Sequence, residues 1–207
     1  MNHCITALVA SLLMANAATA LAASNTDLSV TGMITPNACT PGLSDDGKVD
    51  HGKLTKRDLH PDRNTLLPRN TLQLEVRCEG ATLFALTTLD NREGSAVIPN
   101  HHGLGTTANN ENLGSVSMAL SNPVADLTTP VRTIVSLDGG ATWFVGTQLN
   151  HLSLLAVASV DNPTQPLAVT NFDADITLNT RIARADSLTL TDEVPLDGHV
   201  TVELRYL

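Results

Sequence analysis

The side chains in this sequence best suited to chemistry are its histidines, and there are seven of them in 207 residues. His51, His60, His151 and His199 stand alone, His3 lies ahead of the apolar N-terminal run, and only His101 and His102 are neighbours. A zinc site built from nearby imidazoles needs spacings such as HxH or HExxH, which bring two ligands to one face. No such spacing occurs. Adjacent residues on a strand point apart, so His101 and His102 are read as solvated or hydrogen-bonded loop histidines. A GxSxG nucleophile turn is missing too. The acidic pairs Asp45–Asp46, Asp173 with Asp175, and Asp192–Glu193 fall in turn-like or polar stretches, where solvated turn acids account for them. No catalytic residue, cofactor site or metal site is assigned, and no enzymatic activity is expected.

Two further constellations carry local physics. Ser136-Leu137-Asp138-Gly139-Gly140-Ala141-Thr142-Trp143 fits a Ser-x-Asp-x-Gly-x-Thr-Trp pattern. It resembles the Asp-box, a hairpin motif repeated through sialidase-like propellers. Asp138 can accept backbone N–H bonds across the turn, Gly140 can take positive φ, and Trp143 can pack back on the hairpin. A propeller carries the motif several times and this chain carries it once, so it is read as a stable hairpin. The second constellation is the pair Cys39 and Cys78. Cys4 precedes it, inside the segment expected to be removed.

That removal is expected because Ile5 to Ala15 is an apolar run of signal-peptide length, followed by Ala-x-Ala at Ala18–Ala20 and Ala20–Ala22. Cleavage after Ala22 leaves 185 residues (207 minus 22), enough for one domain, 23–207, with a sizeable core. Residues 1–22 contain no Asp, Glu, Lys or Arg, so the remaining chain keeps the net charge of −9. Such an acidic chain without a basic run argues against nucleic acid as a partner. Export places the chain in the periplasm or outside the cell, where an even pair of cysteines reads as a disulfide. The closed loop of about 40 residues corresponds to roughly 4 kcal/mol by chain entropy.

The elements that must position these groups are strands. Leu72, Leu74, Val76 and Cys78 alternate with Gln73, Glu75 and Arg77, which predicts an interior strand, with Thr82–Leu89 as its hairpin partner. Leu28–Ile34 predicts a first strand, Thr40–Gly47 a turn, and Lys56–Arg69 a loop with one helical turn. Asn91–Asn112 reads as a long loop and Val116–Leu120 as a short strand. Val131–Leu137 and Thr142–Val145 flank an Asp-Gly hairpin turn. Leu152–Val160 fits a buried strand or a short helix equally well. Ala168–Phe172, Ala174–Ile182 and Ser187–Leu190 follow as strands. The last, Gly198–Leu207, puts Val200, Val202, Leu204 and Tyr206 on one face and Thr201, Glu203 and Arg205 on the other. The set predicts an all-β sandwich.

Several of these pieces together resemble the subunits of chaperone–usher fimbriae, and most closely the β-fimbria-like family of Gram-negative bacteria. The residues concerned are Val30–Cys39, Val49-Asp50-His51-Gly52, Leu72–Cys78, Gly103-Leu104-Gly105, and Gly198–Leu207 with its penultimate Tyr206. The resemblance implies an incomplete immunoglobulin-like, pilin-type sandwich that lacks its seventh strand and exposes its core as a groove beside the last strand. It implies a structural or adhesive role at the cell surface, with a periplasmic chaperone, an usher, neighbouring subunits and a surface receptor as partners. Donor-strand complementation would complete the fold, and Val200, Val202, Leu204 and Tyr206 would form the edge that the chaperone or partner strand recognises.

In one respect the chain departs from that pattern. Only Ala23–Asp27 precede Leu28 after cleavage, too short at about 3.3 Å per residue to fill a neighbour's groove. Leu28–Ile34 is then the donor itself, or the subunit accepts a strand and donates none. The alternative class is a free-standing periplasmic or secreted β-sandwich that binds carbohydrate or another small ligand.

Overall fold

The computed structural model describes residues 38–126 and 130–207, together with Ser29. The expected signal peptide and, apart from Ser29, the expected strand Leu28–Ile34 lie outside the described residues. The strands are β1 (Cys39–Leu43), β2 (Thr65–Leu66), β3 (Asn70–Thr82), β4 (Phe84–Asp90), β5 (His102–Gly103), β6 (Gly114–Ala125), β7 (Val131–Ser136), β8 (Phe144–Val145), β9 (Leu154–Ser159), β10 (Val169–Ile182) and β11 (Val200–Tyr206). They form two antiparallel sheets, β1-β3-β10-β6-β5 with β2 beside β10, and β11-β4-β9-β7-β8. The fold is an all-β sandwich with one disulfide.

Alternation builds the core. Leu72, Leu74 and Val76 of β3, Phe172, Ala174 and Ile176 of β10, and Phe84 and Leu86 of β4 are all buried between the sheets. The rings of Phe84 and Phe172 meet edge to face, 6.3 Å apart, across the two layers. A second apolar cluster, including Leu104, Leu113, Ile182 and Leu188, sits apart from this core under the loops around residues 49–59 and 188–196.

Several local expectations are corrected. β4 does not return along β3 as a hairpin; it crosses to the other sheet and pairs with β11 and β9. Thr40–Leu43 is strand rather than turn: it pairs with β3 in register, Leu43 opposite Leu74, and the Cys39–Cys78 bond links the two strands at one end. Ala168–Phe172 and Ala174–Ile182 are one strand, β10, interrupted by register shifts against β3 and β6. Ser187–Leu190 forms no strand; a 3-10 turn at Ala185–Ser187 leads into irregular chain there. The ambiguous Leu152–Val160 resolves as β9, between β4 and β7.

Candidate functional site: the groove between β1 and β11

Both sheets end in a strand on the same side of the sandwich, and the two bordering strands differ. β11 pairs with β4 from Val200↔Asp90 to Tyr206↔Phe84. The bonds Asn91 N–H to His199 O (2.9 Å) and Leu207 N–H to Leu83 O (3.1 Å) fix which pairs exchange hydrogen bonds. Such pairs alternate along an antiparallel ladder. Thr201, Glu203 and Arg205 therefore turn their main chain to β4, while Val200, Val202, Leu204 and Tyr206 turn theirs outward. Among the described residues no strand pairs with that outer edge. The side chains of Val200, Val202 and Leu204 pack against the core and stay half-buried.

The β1 border is blunted. Ala38 O accepts from Glu79 N–H (2.9 Å), so Cys39, Pro41 and Leu43 are the residues whose main chain faces away from β3. Pro41 has no N–H to offer, which is where an edge strand tolerates proline. Cys39 N–H is already taken, donating to Tyr206 Oη at 3.0 Å. That bond ties the two borders together at the disulfide end.

Between the borders lies a groove of ≈ 180 Å³, lined among others by Leu43, Leu72, Met118, Ile176, Val200 and Val202. Of the four edge residues expected from the sequence, Val200, Val202 and Leu204 share the face turned to the core. Tyr206 is on the same strand but is 40% exposed and acts through its hydroxyl. The rest of the lining, with Gly47 at the end of the 3-10 turn Ser44–Gly47 and Val49, His51 and Leu196 in irregular chain, gives no signal to a period-2 reading.

The Asp-box hairpin and His102 are internally satisfied or buried, while Asp45, Asp46, Asp192 and His199 are exposed. In the Asp-box hairpin, Asp138 Oδ1 accepts from Ser136 Oγ (2.7 Å) and from Thr142 N–H (2.9 Å), and Gly140 N–H donates to Ser136 Oγ (2.8 Å). Hydrogen bonds from Thr142 and Ser136 hold the Asp138 carboxyl down at about 2. Trp143 Nε1–H donates to Gly140 O, and its ring packs with Ile134, Leu154 and Ala156. Each of these bonds closes the hairpin on itself. Among the described residues no group of three or more His, Cys, Asp or Glu side chains is placed to hold a metal ion.

The structure also separates the two adjacent histidines. His102 is fully buried on β5, with Nε2 2.8 Å from Thr88 Oγ1, and its ring meets His151 edge to face. Burial holds its pKa below 6.5, against the opposing pull of the Val116 carbonyl and Asp90. The folded chain thus refuses a proton that the unfolded chain accepts. The stability this group supports is present above pH 6.5 and is lost as the pH falls from there towards the lowered folded value. A urea midpoint that declines between pH 7 and pH 5 is expected. His102→Gln, which keeps a donor near Thr88, is expected to shrink that decline; an unaltered pH profile would assign it elsewhere.

One family, described as "Protein of unknown function (DUF1120)", matches residues 28–102. The matched span contains β1 to β4, both cysteines of the disulfide and His102, and stops short of β11. No curated protein matches the chain.

Proposed function

We propose that this chain is a structural or adhesive subunit of a chaperone–usher fimbria, completed by a strand that a partner lays along β11. The observation that carries this is the coincidence on one border of two needs that no described residue meets. Val200, Val202 and Leu204 present outward main-chain groups, and the same residues' apolar side chains are only half covered. An edge of that kind is a template for β-augmentation, with main-chain bonds supplying affinity and alternate side chains supplying specificity. The proline and the capped N–H on β1 favour β11 as the border that pairs. A periplasmic chaperone would occupy the site first and a strand of a neighbouring subunit would follow, delivered through the usher to the cell surface.

The test is recovery from the periplasm with and without a co-expressed fimbrial chaperone, comparing the wild type with a deletion of residues 198–207. The expected result is a wild type recovered only as a chaperone complex and a deletion that forms none. A wild type that accumulates alone as a cooperative monomer would overturn the proposal and favour a free-standing binding domain.

A further inference from the structure

The groove does not end where β11 begins. Val49, His51 and Leu196 line both it and a second cavity of ≈ 760 Å³. The floor of this cavity is the second apolar cluster, through Leu113, Ile182 and Leu188. Its volume falls within the range of sites that enclose a whole ligand.

A strap closes it on one side. Thr189 anchors one end, donating through N–H and Oγ1–H to the Glu111 carboxylate at 2.7 and 2.8 Å. Asp197 anchors the other end, gripped by Arg92 through Nε and Nη2 at 2.9 and 2.8 Å. Between these anchors, Leu190 and Val194 pack half-buried on the floor cluster. Across the mouth, Lys53 meets Glu193 at 2.9 Å, and both side chains are almost wholly exposed. An exposed pair of this kind contributes about 0–1 kcal/mol, so the middle of the strap is held mainly by Leu190 and Val194 on the floor cluster.

We infer that this cavity is the second half of the partner-strand site and takes the end of the partner's own peptide, apolar and extended, after it leaves β11. The inference rests on the fimbrial reading above. Continuity argues for a peptide rather than a small molecule. A strand paired with the seven residues of β11 covers about 23 Å at about 3.3 Å per residue. The Tyr206–Cys39 bond closes one end of that run, so further residues leave at the Val200 end, where the shared lining residues lead into the cavity. The floor offers apolar contact, and the rim carries both signs (Lys53 and Lys56 against Asp50, Asp192 and Glu193). Uncharged apolar side chains therefore suit it better than a charged end.

The test uses synthetic peptides of alternating threonine and valine, one of seven residues and two of eleven extended at either terminus, titrated against the full chain. One of the two longer peptides is expected to bind at least about tenfold tighter than the short one. Placing aspartate in its extension should return it to the affinity of the short peptide, a comparison that needs no protein variant. Leu190→Trp, which fills the cavity from a half-buried position, should erase the gain and leave the seven-residue affinity unchanged. If the short peptide binds and neither longer one gains, the cavity inference falls while the β11 reading stands. If no peptide binds, the reading itself falls and takes the inference with it. Displacement of the dye anilinonaphthalene sulfonate by Leu190→Trp but by no peptide would make the cavity a small-molecule site and overturn the inference.

Discussion

Replacing both Cys39 and Cys78 by alanine is expected to lower the unfolding free energy by about 4 kcal/mol, because the bond closes a loop with a sequence separation of 39. Against a total of about 5–15 kcal/mol for a domain, that is a large share. The double substitution avoids leaving a free thiol. The bond also does positional work: it joins an edge strand of five residues to the interior strand β3, and β1 carries one border of the groove. Without it, β1 keeps its ladder to β3 and the Cys39 N–H bond to Tyr206, a main-chain bond that an alanine also makes. The urea midpoint should therefore fall steeply while the fold persists in water. The slope of the transition should rise, since an unlinked unfolded chain exposes more surface. An unchanged midpoint would mean that the bond constrains nothing in the unfolded chain.

The sequence is legible where one face is buried and the other wet. β3 and β11 announce themselves by strict alternation, and the structure buries Leu72, Leu74 and Val76 while leaving Gln73, Glu75 and Arg77 out. The disulfide follows from the cysteine count and from the export that the apolar run Ile5–Ala15 leads one to expect. Pairing is less legible, because alternation tells which face is buried but not which strand lies alongside. Thr82–Leu89 has the pattern of a hairpin partner, yet β4 crosses to the opposite sheet. Its two faces serve different clusters there: Phe84 and Leu86 point into the main core, while Ala85 meets Ile134 and Ala156 beneath Trp143.

Punctuation residues mislead for a related reason. Pro41-Gly42 reads as a turn, but at the edge of a sheet the missing N–H faces away from the partner strand and costs no ladder bond. β10 looks like two strands because a register shift falls between Asp173 and Asp175, where the facing strand carries Asn122 at φ 52°. Half of the candidate site was readable, namely the row on β11. The facing wall and the cavity beyond it were not, since Val49, His51 and Leu196 have no period and meet from irregular segments far apart in the sequence.

Val202→Lys is expected to abolish partner capture while costing the isolated sandwich little. Val202 is half-buried, packs on the core and lines the groove. Full burial of a valine is worth about 1.5–3 kcal/mol, so losing a half-buried one costs about 1 kcal/mol. In the open groove a lysine stem lies along the apolar wall with its ammonium in water. Once a partner strand covers the groove, that ammonium is buried without a counter-charge, at a cost of several kcal/mol. At about 1.4 kcal/mol per factor of ten, capture should drop by roughly a hundredfold or more. Glu203→Lys changes charge one residue further on, but its side chain is exposed on the opposite face and capture should persist. This pair separates the groove from general surface charge, which the deletion of residues 198–207 cannot do because it also removes a core border. Co-purification with a fimbrial chaperone gives the readout. Equal recovery of Val202→Lys and Glu203→Lys in the complex would mean that the partner binds elsewhere, and that the half-buried row on β11 is a finished edge.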